Sequence, residues 1–439
     1  MKQYETFKDS GVEWIGEIPE HWKVARLKFN AKVFTGNSLN DSLKEKYRKN
    51  NTDCTPYIGS KDLETETNLI DYDNGIRISK EDESNFKLGR NGSAVICIEG
   101  GSAGKKIGFL EKDTFFVNKL ACLDSGNKFT YYFIQSNFFK NQFNSNLSGL
   151  IPGVSVSSLK NLFITSPPLQ EQTQIANYLN DKTAQLDTLI TKKEQLISLF
   201  QEERTAMINQ AVTKGLDLNV PMKDSGIEWL GEIPAHWKSS KIGYLSRVIR
   251  GASPRPAGDP LLFNGDFMPW ITVKEVTNAD GKFINSTESF LTELGAKQTR
   301  ILEPETLILS NSGATLGVPR ITLIEGAIND GSVAFLDLQV EREFLYYFFT
   351  THTAIYREEA SGYGQPNLNT QIVKSTSIPL PSKEEQTEII SFVEKEIKRY
   401  DEIVIKYNQE IELLKEYKTA LISEVVTGKV DVREEVLAQ

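Results

Sequence analysis

One stretch of this chain is written twice: KDSGVEWIGEIPEHWK, from Lys8 to Lys23, returns as KDSGIEWLGEIPAHWK, from Lys223 to Lys238. A second pair keeps nearly the same offset, EQTQI at residues 171–175 and EQTEI at 385–389, and the periodic stretches that follow align without a gap as far as Asp217 and Asp431. A tandem duplication constrains architecture before any single residue does, because each copy must be the same structural unit. Each half is predicted to contain a leading segment, a globular block of about 140 residues and a long helix. The parts that agree are the frame and the parts that differ are what the frame carries, which points to a device holding two different readers at a set separation.

Composition narrows the class. A chain of 439 residues with 39% hydrophobic and 25% charged residues has material for two or three domains with ample core. Cys54, Cys97 and Cys122 all lie in the first half and have no repeat counterpart, so a disulfide framework is not expected and a reducing compartment is. The first residues lack an apolar signal, and runs such as Phe344 to Phe349 are far below membrane-spanning length, so a soluble, cytoplasmic protein is expected. The net charge of −9 argues mildly against a nucleic-acid partner. Its distribution softens the objection. Acid gathers after Glu384, whereas the first block carries Lys44, Lys46, Arg48 and Lys49 and the second Arg247, Arg250 and Arg255. A solvated charged face is the plain alternative for either set.

The stretches after the EQT motifs read as helices. Steps of four and three from Ile175 through Leu179, Lys182, Leu186, Leu189, Lys193, Leu196, Phe200 and Glu203 to Met207 trace a heptad seam with polar interruptions. The second copy gives Ile389, Val393, Glu396, Tyr400, Ile403, Tyr407, Glu410, Leu414, Tyr417 and Leu421. Two helices of about 38 residues, some 57 Å at about 1.5 Å per residue, would bury these stripes against each other. Connectivity then demands antiparallel packing, since the first helix leaves block one for block two and the second must return. The ends, VTKGLDLNVPMKDSG after the first helix and VTGKVDVREEVLAQ at the chain terminus, imply that the two termini meet and that the organisation is circular with a pseudo-twofold axis.

Trp14 and Trp22, repeated as Trp229 and Trp237 beside Pro19/Pro234 and His21/His236, are expected to be anchors seating each block on the helices. Three histidines and no Cys or carboxylate cluster at ligand spacing make a metal site improbable. Between the frame elements PYIGSKDL at Pro56 is similar to PWITVKEV at Pro269, EGGSAGKKIGFL at Glu99 to NSGATLGVPRIT at Asn311, and FTYYF at Phe129 to FLYYF at Phe344. Short β-rich runs punctuated by Gly, Asn and Pro predict mixed α/β blocks. The GGSAGKK loop fails as a phosphate-binding Walker loop, because Glu99 stands at the first glycine position and Lys106 where Ser or Thr is needed. Nothing else composes a catalytic constellation: SPPL at Ser166 lacks the flanking residues of a methyltransferase dipeptide, and His352 has no evident partner.

The duplicated D-S-G-x-E-W-x-G-x-I-P-x-H-W segment, the P-x-x-x-E-Q-T-x-I start of both helices and the tandem layout resemble the DNA-specificity subunit of Type I restriction-modification enzymes over essentially the whole chain. The resemblance implies two α/β target-recognition domains joined by a pair of long antiparallel coiled-coil helices. They would divide the chain into residues 1–168, helix 169–212, residues 213–381, helix 382–427 and a tail at 428–439. Each domain would read one half of a bipartite, asymmetric double-stranded DNA site, with the helices setting the spacer. The implied partners are two modification subunits, which carry S-adenosylmethionine and methylate adenine, and restriction subunits, which use ATP and Mg; this chain itself would bind no cofactor and no metal and would not be an enzyme. Readers on one face of B-DNA need centres about 34 Å apart, one helical turn. Base reading calls for Arg, Lys, Asn, Gln or Ser at groove edges, which makes Lys44, Lys46, Arg48, Lys61, Ser102, Lys105 and Lys106 the candidates in block one. Block two offers Arg250, Arg255, Lys274, Asn311, Ser312, Thr315 and Arg320. The competing class is a coiled-coil scaffold whose two blocks bind proteins.

Overall fold

The structure, a computed structural model, describes residues 2–48, 54–313, 315–359 and 368–434. It divides into two compact units, Met1–Glu194 with Asn408–Gln439, and Gln195–Tyr407. The two long helices, Leu169–Lys214 and Lys383–Val426, contain 46 and 44 residues. They exceed the roughly 38 residues of the expected seam but stay close to the expected bounds 169–212 and 382–427: the first starts directly after Pro168 and ends before Gly215, and the second starts after Pro381–Ser382 and ends before Thr427–Gly428. Pro168 and the Pro381–Ser382 pair set the starts, and in the second helix the Ser382 hydroxyl accepts the Glu385 N–H (3.2 Å) while the Glu385 carboxylate accepts the Ser382 N–H (3.1 Å), a reciprocal cap. Gly215 (φ +78°) and Gly428 (φ +75°) end the helices in the left-handed conformation that side chains resist.

In the first unit, strand Phe7–Asp9 pairs antiparallel with Glu17–Pro19 to make the leading hairpin. Strand Lys23–Arg26 then pairs with Phe163–Ser166, the last strand of the block. The block therefore begins and ends at one neck, and its exit feeds the long helix. Inside it, a four-stranded antiparallel sheet runs in the order Lys32–Thr35, Leu120–Asp124, Ala94–Cys97, Ile107–Phe109. A second sheet runs Arg77–Ile78, Thr55–Ile58, Thr114–Phe116, Leu88–Gly89, with its central pair parallel.

The second unit repeats this plan. Lys238–Lys241 pairs with Ser377–Leu380 at the neck. The first sheet runs Arg247–Arg250, Ser332–Leu336, Thr306–Ser310, Pro319–Thr322 and adds a fifth strand, Phe283–Ile284; the other runs Phe290–Leu291, Phe263–Ile271, Gly326–Ile328, Arg300–Leu302. Two blocks whose sequences agree only faintly thus share one topology. A constraint common to both is visible where the first strand leaves its sheet. A Cβ on Gly36 would lie 1.7 Å from the Phe116 carbonyl oxygen, and one on Gly251 2.1 Å from that of Asn329, so only glycine lets the two backbones approach.

Each unit closes on a core built the same way. Trp22 is fully buried with Ile175 and Leu179 from the start of the first helix, Leu421, Val425 and Val426 from the end of the second, and Val430 and Val432 from the tail after it. In the other unit Trp237 is buried with Ile389 and Val393 from the start of the second helix and Ile208, Ala211 and Val212 from the end of the first. Trp22 and Trp237 are therefore anchors, as their repeat suggested; Trp229 is half-buried against Phe348 and His352, and Trp14, 47% exposed, does not have the anchoring role expected of it. The antiparallel arrangement holds within each unit: Lys193 meets Glu410 (2.6 Å) and Lys418 meets Asp187 (2.7 Å) in one, and Arg204 meets Asp401 (3.5 Å) in the other. The chain termini also meet. The Lys2 carbonyl accepts the Asp431 N–H (2.9 Å) and the Lys2 ammonium pairs with Glu434 (2.8 Å).

The seam itself is displaced from the expected one at alternate positions. Ile175, Leu179, Leu186, Phe200 and Met207 are buried or half-buried, but Leu189 is 42% and Leu196 38% exposed, and their places are taken by Ile190 and Ile197. The stripe actually steps through Leu179, Thr183, Leu186, Ile190, Lys193, Ile197, Phe200, Arg204, Met207 and Ala211. The second helix shows the same shift. Ile389, Val393, Tyr400, Tyr407, Leu414 and Leu421 line it, Ile411 (5%) is buried where Glu410 was placed, Tyr417 is 46% exposed, and Ile403 is half-buried beside Val404. The physical reason is that Leu189–Ile190 and Leu196–Ile197 are adjacent apolar pairs, so the sequence offers two seams one residue apart and packing selects the second.

Candidate nucleic-acid interface

At the end of the central strand of each first sheet lies a glycine-rich loop. In block one, strand Ala94–Cys97 is wholly buried and the chain then turns through residues 99–106. The Gly104 N–H reaches the Cys97 carbonyl (2.8 Å), the Ala103 N–H that of Gly100 (3.0 Å), and the Val154 N–H that of Ile98 (2.9 Å). Block two makes the same bonds from Gly317 to Ser310 (2.8 Å), Leu316 to Gly313 (3.2 Å) and Leu368 to Asn311 (2.8 Å). The two loops are one device, in register Gly100 with Gly313 and Gly104 with Gly317. That is one residue away from the pairing of Gly101 with Gly313 that the letters suggest. Gly104 (φ +74°) also lies so close to Phe143 that a Cβ would sit 2.7 Å from its ring.

A second loop meets this one in each block. After the parallel strand Thr55–Ile58 comes the turn Ser60–Asp62, held by the Asp62 carboxylate on the Gly59 N–H (2.8 Å); after Phe263–Ile271 comes helix Val273–Asn278, capped reciprocally by Thr272 and Glu275. Lys61 and Lys274 occupy equivalent places in these elements. In block one the Lys106 ammonium ties the loops together by donating to the Ser60 carbonyl (3.0 Å). In block two Gly331 does so: its carbonyl accepts the Asn311 N–H (2.9 Å), and a Cβ there would meet Val273 (2.5 Å) and the Ser312 hydroxyl (3.2 Å).

The sequence candidates therefore separate. Lys61, Ser102, Lys105 and Lys106 come together, and among the described residues Lys61 and Lys105 make no ion pair. Lys44, Lys46 and Arg48 lie elsewhere, on and after the short helix Asp41–Lys46. Each already has an acidic neighbour, Asp41 at 2.9 Å, Asp82 at 2.7 Å and Glu45 at 3.7 Å respectively. In block two, Lys274, Ser312 and Thr315 belong to the loop pair, and Lys274 is paired with Glu288 (2.9 Å). Arg250 donates to the Asp330 carbonyl (2.7 Å) and Arg255 approaches the Asp330 carboxylate (3.5 Å), which brings both arginines beside Gly331. Asn311 is fully buried, and among the described residues neither of its side-chain polar atoms has a hydrogen-bond partner. Arg320 is held inward by the carbonyls of Pro319 (2.8 Å) and Ala279 (3.0 Å), and burial lowers its pKa.

Sequence reading missed Asp330 as the organiser of Arg250, Arg255 and Ser253, since nothing local to it signals the role. It also missed the turn at residues 147–153, whose ends bridge Ser148 to Gly153 and Glu99 to Gly153 and whose tip exposes Leu150 and Ile151 beside the glycine-rich loop. The SGL of Ser148–Leu150 and SGY of Ser361–Tyr363 were a usable signal; the second lies outside the described residues. Among the described residues no group of three or more His, Cys, Asp and Glu is placed to hold a metal, and no helix is long and apolar enough to cross a membrane. His352 is buried among Trp229 (4.4 Å), Tyr356 (4.6 Å) and Phe348 (5.1 Å), and desolvation pushes its pKa down to about 4, which makes it a neutral packing residue.

Comparison with known proteins is consistent across the chain. Residues 19–199 and 234–413 match the family described as Type I restriction modification DNA specificity domain. The specificity subunit of the Type I restriction enzyme MjaVIII from Methanocaldococcus jannaschii is 24% identical over 442 residues, covering 95% of this chain and 94% of the relative. That of EcoKI from Escherichia coli K12 is 22% identical over 207 residues, covering 45% of this chain and 44% of the relative. Among solved structures, a chain from work on complex assembly and conformational transition of the type I R-M system superposes with a TM-score of 0.72 at 16% identity, over 94% of this chain and 99% of the other. The HsdS subunit from Thermoanaerobacter tengcongensis gives 0.56 at 16% identity, over 94% and 98%.

Proposed function

This chain belongs to the Type I restriction-modification DNA specificity family, with two copies of its domain, and from that premise we propose that it reads a bipartite, asymmetric duplex site, one half with each block. The observation that carries the reading is the contrast inside the duplication. Topology, neck and glycine-rich loop are common to both blocks, and Lys61 and Lys274 are alike, whereas other residues around the loops differ: Lys105 and Lys106 stand where the second block has Val318 and Pro319, and Ser312 and Arg250 stand where the first has Glu99 and Thr35. Equivalent scaffolds with unlike polar tips suit two different half-sites, because base contacts specify while backbone contacts only position.

The chain acts without chemistry of its own. It docks two modification subunits, which bring S-adenosylmethionine, and restriction subunits, which bring ATP and Mg, while the long helices set the unspecified spacer. An acidic total charge is compatible with this if partner subunits complete the basic channel around the phosphates. The test is a block exchange. Replacing residues 239–381 with those of a relative of different specificity, and mapping methylated adenines across a genome, should change one half of the motif and leave the other half intact. Alteration of both halves would overturn separate reading by separate blocks.

A further inference from the structure

Although the blocks have diverged, one exposed feature is repeated in both at the same position. Phe29 is 75% exposed and Tyr244, 215 positions later, is 80% exposed. Each sits on the short helix after the neck strand, Leu27–Phe29 in one block and Ile242–Leu245 in the other. Two residues earlier, Leu27 or Ile242 is buried and its N–H donates to the carbonyl of Leu162 (2.8 Å) or Thr376 (2.9 Å), which turns the ring away from the core. Cations repeat around it. Lys28 lies over the Phe29 ring (5.2 Å) and reaches Asn161 (3.3 Å), the neighbour of Lys160, while Arg26 lies over Phe163 (5.4 Å); in the other block Lys241 precedes the helix of Tyr244 and the Lys374 stem lies against Gly243. None of these five has a carboxylate partner among the described residues.

We propose that this repeated aromatic and basic patch is the docking point for the modification subunit, one copy per half, received by an apolar pocket with an acidic rim. The proposal deepens the functional reading above and rests on it. A protein fits better than DNA for two reasons. Phe29 has no polar atom to offer a phosphate, whereas an aromatic ring inside a polar rim is the usual anatomy of a protein anchor point. The patch also lies at the wrong end of the sheet for reading. Strand Lys32–Thr35, just after Phe29, pairs Lys32 with Asp124 and Thr35 with Ala121, and the neighbouring Leu120 pairs with Cys97, where the glycine-rich loop begins. Four strand residues at about 3.3 Å each separate the two ends. Block two repeats the separation, with Arg247 opposite Leu336 at one end and Ser310 opposite Ser332 at the other. A partner common to both halves also explains why the patch kept its chemistry while the loops did not.

The experiment uses the full chain and the modification subunit of its own system, with stoichiometry and affinity measured by sedimentation and calorimetry. The unaltered chain should bind two copies; Phe29→Ala or Tyr244→Ala should each weaken one site at least tenfold, and the double variant both. Folding is checked by circular dichroism, which truncation of rings this exposed should leave unchanged. Lys160→Glu with Lys374→Glu should weaken binding in the same direction. Two copies bound with unchanged affinity by the double variant would overturn the proposal, and so would intact docking combined with lost salt-dependent retention on duplex DNA, which would give the patch to the phosphates. No binding by the unaltered chain would overturn the functional reading and the proposal with it.

Discussion

The displaced seam can be tested with two neighbouring residues. Ile190 is 9% exposed and Leu189 42%, so truncating each to alanine asks which of the two stripes carries the helix pair. Removing a buried Ile side chain costs the transfer of its methyl groups plus a cavity, about 2–3 kcal/mol at a seam that can partly collapse. Leu189→Ala removes atoms that are already largely in water and should cost under about 1 kcal/mol. Alanine's better helix propensity returns a few tenths of a kcal/mol in both cases, too little to reverse the order. For a unit of this size about 2–4 °C of melting temperature follows each kcal/mol, so Ile190→Ala should lower the transition of the Met1–Glu194 with Asn408–Gln439 unit by about 5–10 °C and Leu189→Ala by about 3 °C or less. Calorimetry on the full chain separates them. Equal losses, or a larger loss at Leu189, would restore the seam read from the heptads and refute the packing argument.

Three further outcomes follow. Gly36→Ala and Gly251→Ala force a Cβ to within 1.7 and 2.1 Å of a carbonyl oxygen, so each should destabilise its own unit by about 3 kcal/mol, the upper end for overpacking, and limited proteolysis should open that unit only. Glu385 is pushed up by burial, but hydrogen bonds from His236, Trp237 and the Ser382 N–H outweigh this and hold its pKa below the ordinary 4.5; its contribution is therefore present above pH 4.5 and lost as pH falls through the folded value, and Glu385→Gln should flatten that acid limb in a pH series of melting temperatures. Lys61→Ala and Lys105→Ala should each reduce the salt slope of duplex binding by about 0.9 if they meet phosphates, with the modification subunits present, whereas Lys44→Ala should leave it unchanged.

The frame was legible because it repeats. Trp22 and Trp237, Ile175 and Ile389, and Leu421 in the second copy are buried where the duplication and the period place them, and the meeting of Lys2 with Asp431 and Glu434 follows from antiparallel return of the second helix. The seam was legible only to within one residue. Periodicity cannot choose between Leu189 and Ile190 when both are apolar; the choice belongs to the facing helix, which presents Val404 and Ile411 where the sequence reading placed Ile403 and Glu410. The parallel pairing of Thr55–Ile58 with Thr114–Phe116 was out of reach because about 60 residues separate the partners, and parallel strands need a long crossover that leaves no local mark.

The site shows a sharper division, and it is one of electrostatic context. Lys44, Lys46, Arg48 and Lys61 look alike as letters, yet the first three answer to Asp41, Asp82 and Glu45 while Lys61 has no ion pair among the described residues. Asp41 and Glu45 are within helix reach and could have been foreseen at their spacing of three. Asp82 could not, since it approaches Lys46 only once the sheet edge at Arg77–Ile78 is formed. Arg250 and Arg255 reverse the lesson: five residues apart, they are gathered by Asp330, some 80 positions away. A charge pattern read along the chain therefore locates the cations but not their counter-ions. That is why the net charge of −9 said so little: it does not show that the fold pairs Lys44, Lys46 and Arg48 with carboxylates and leaves Lys61 and Lys105 without an ion pair among the described residues.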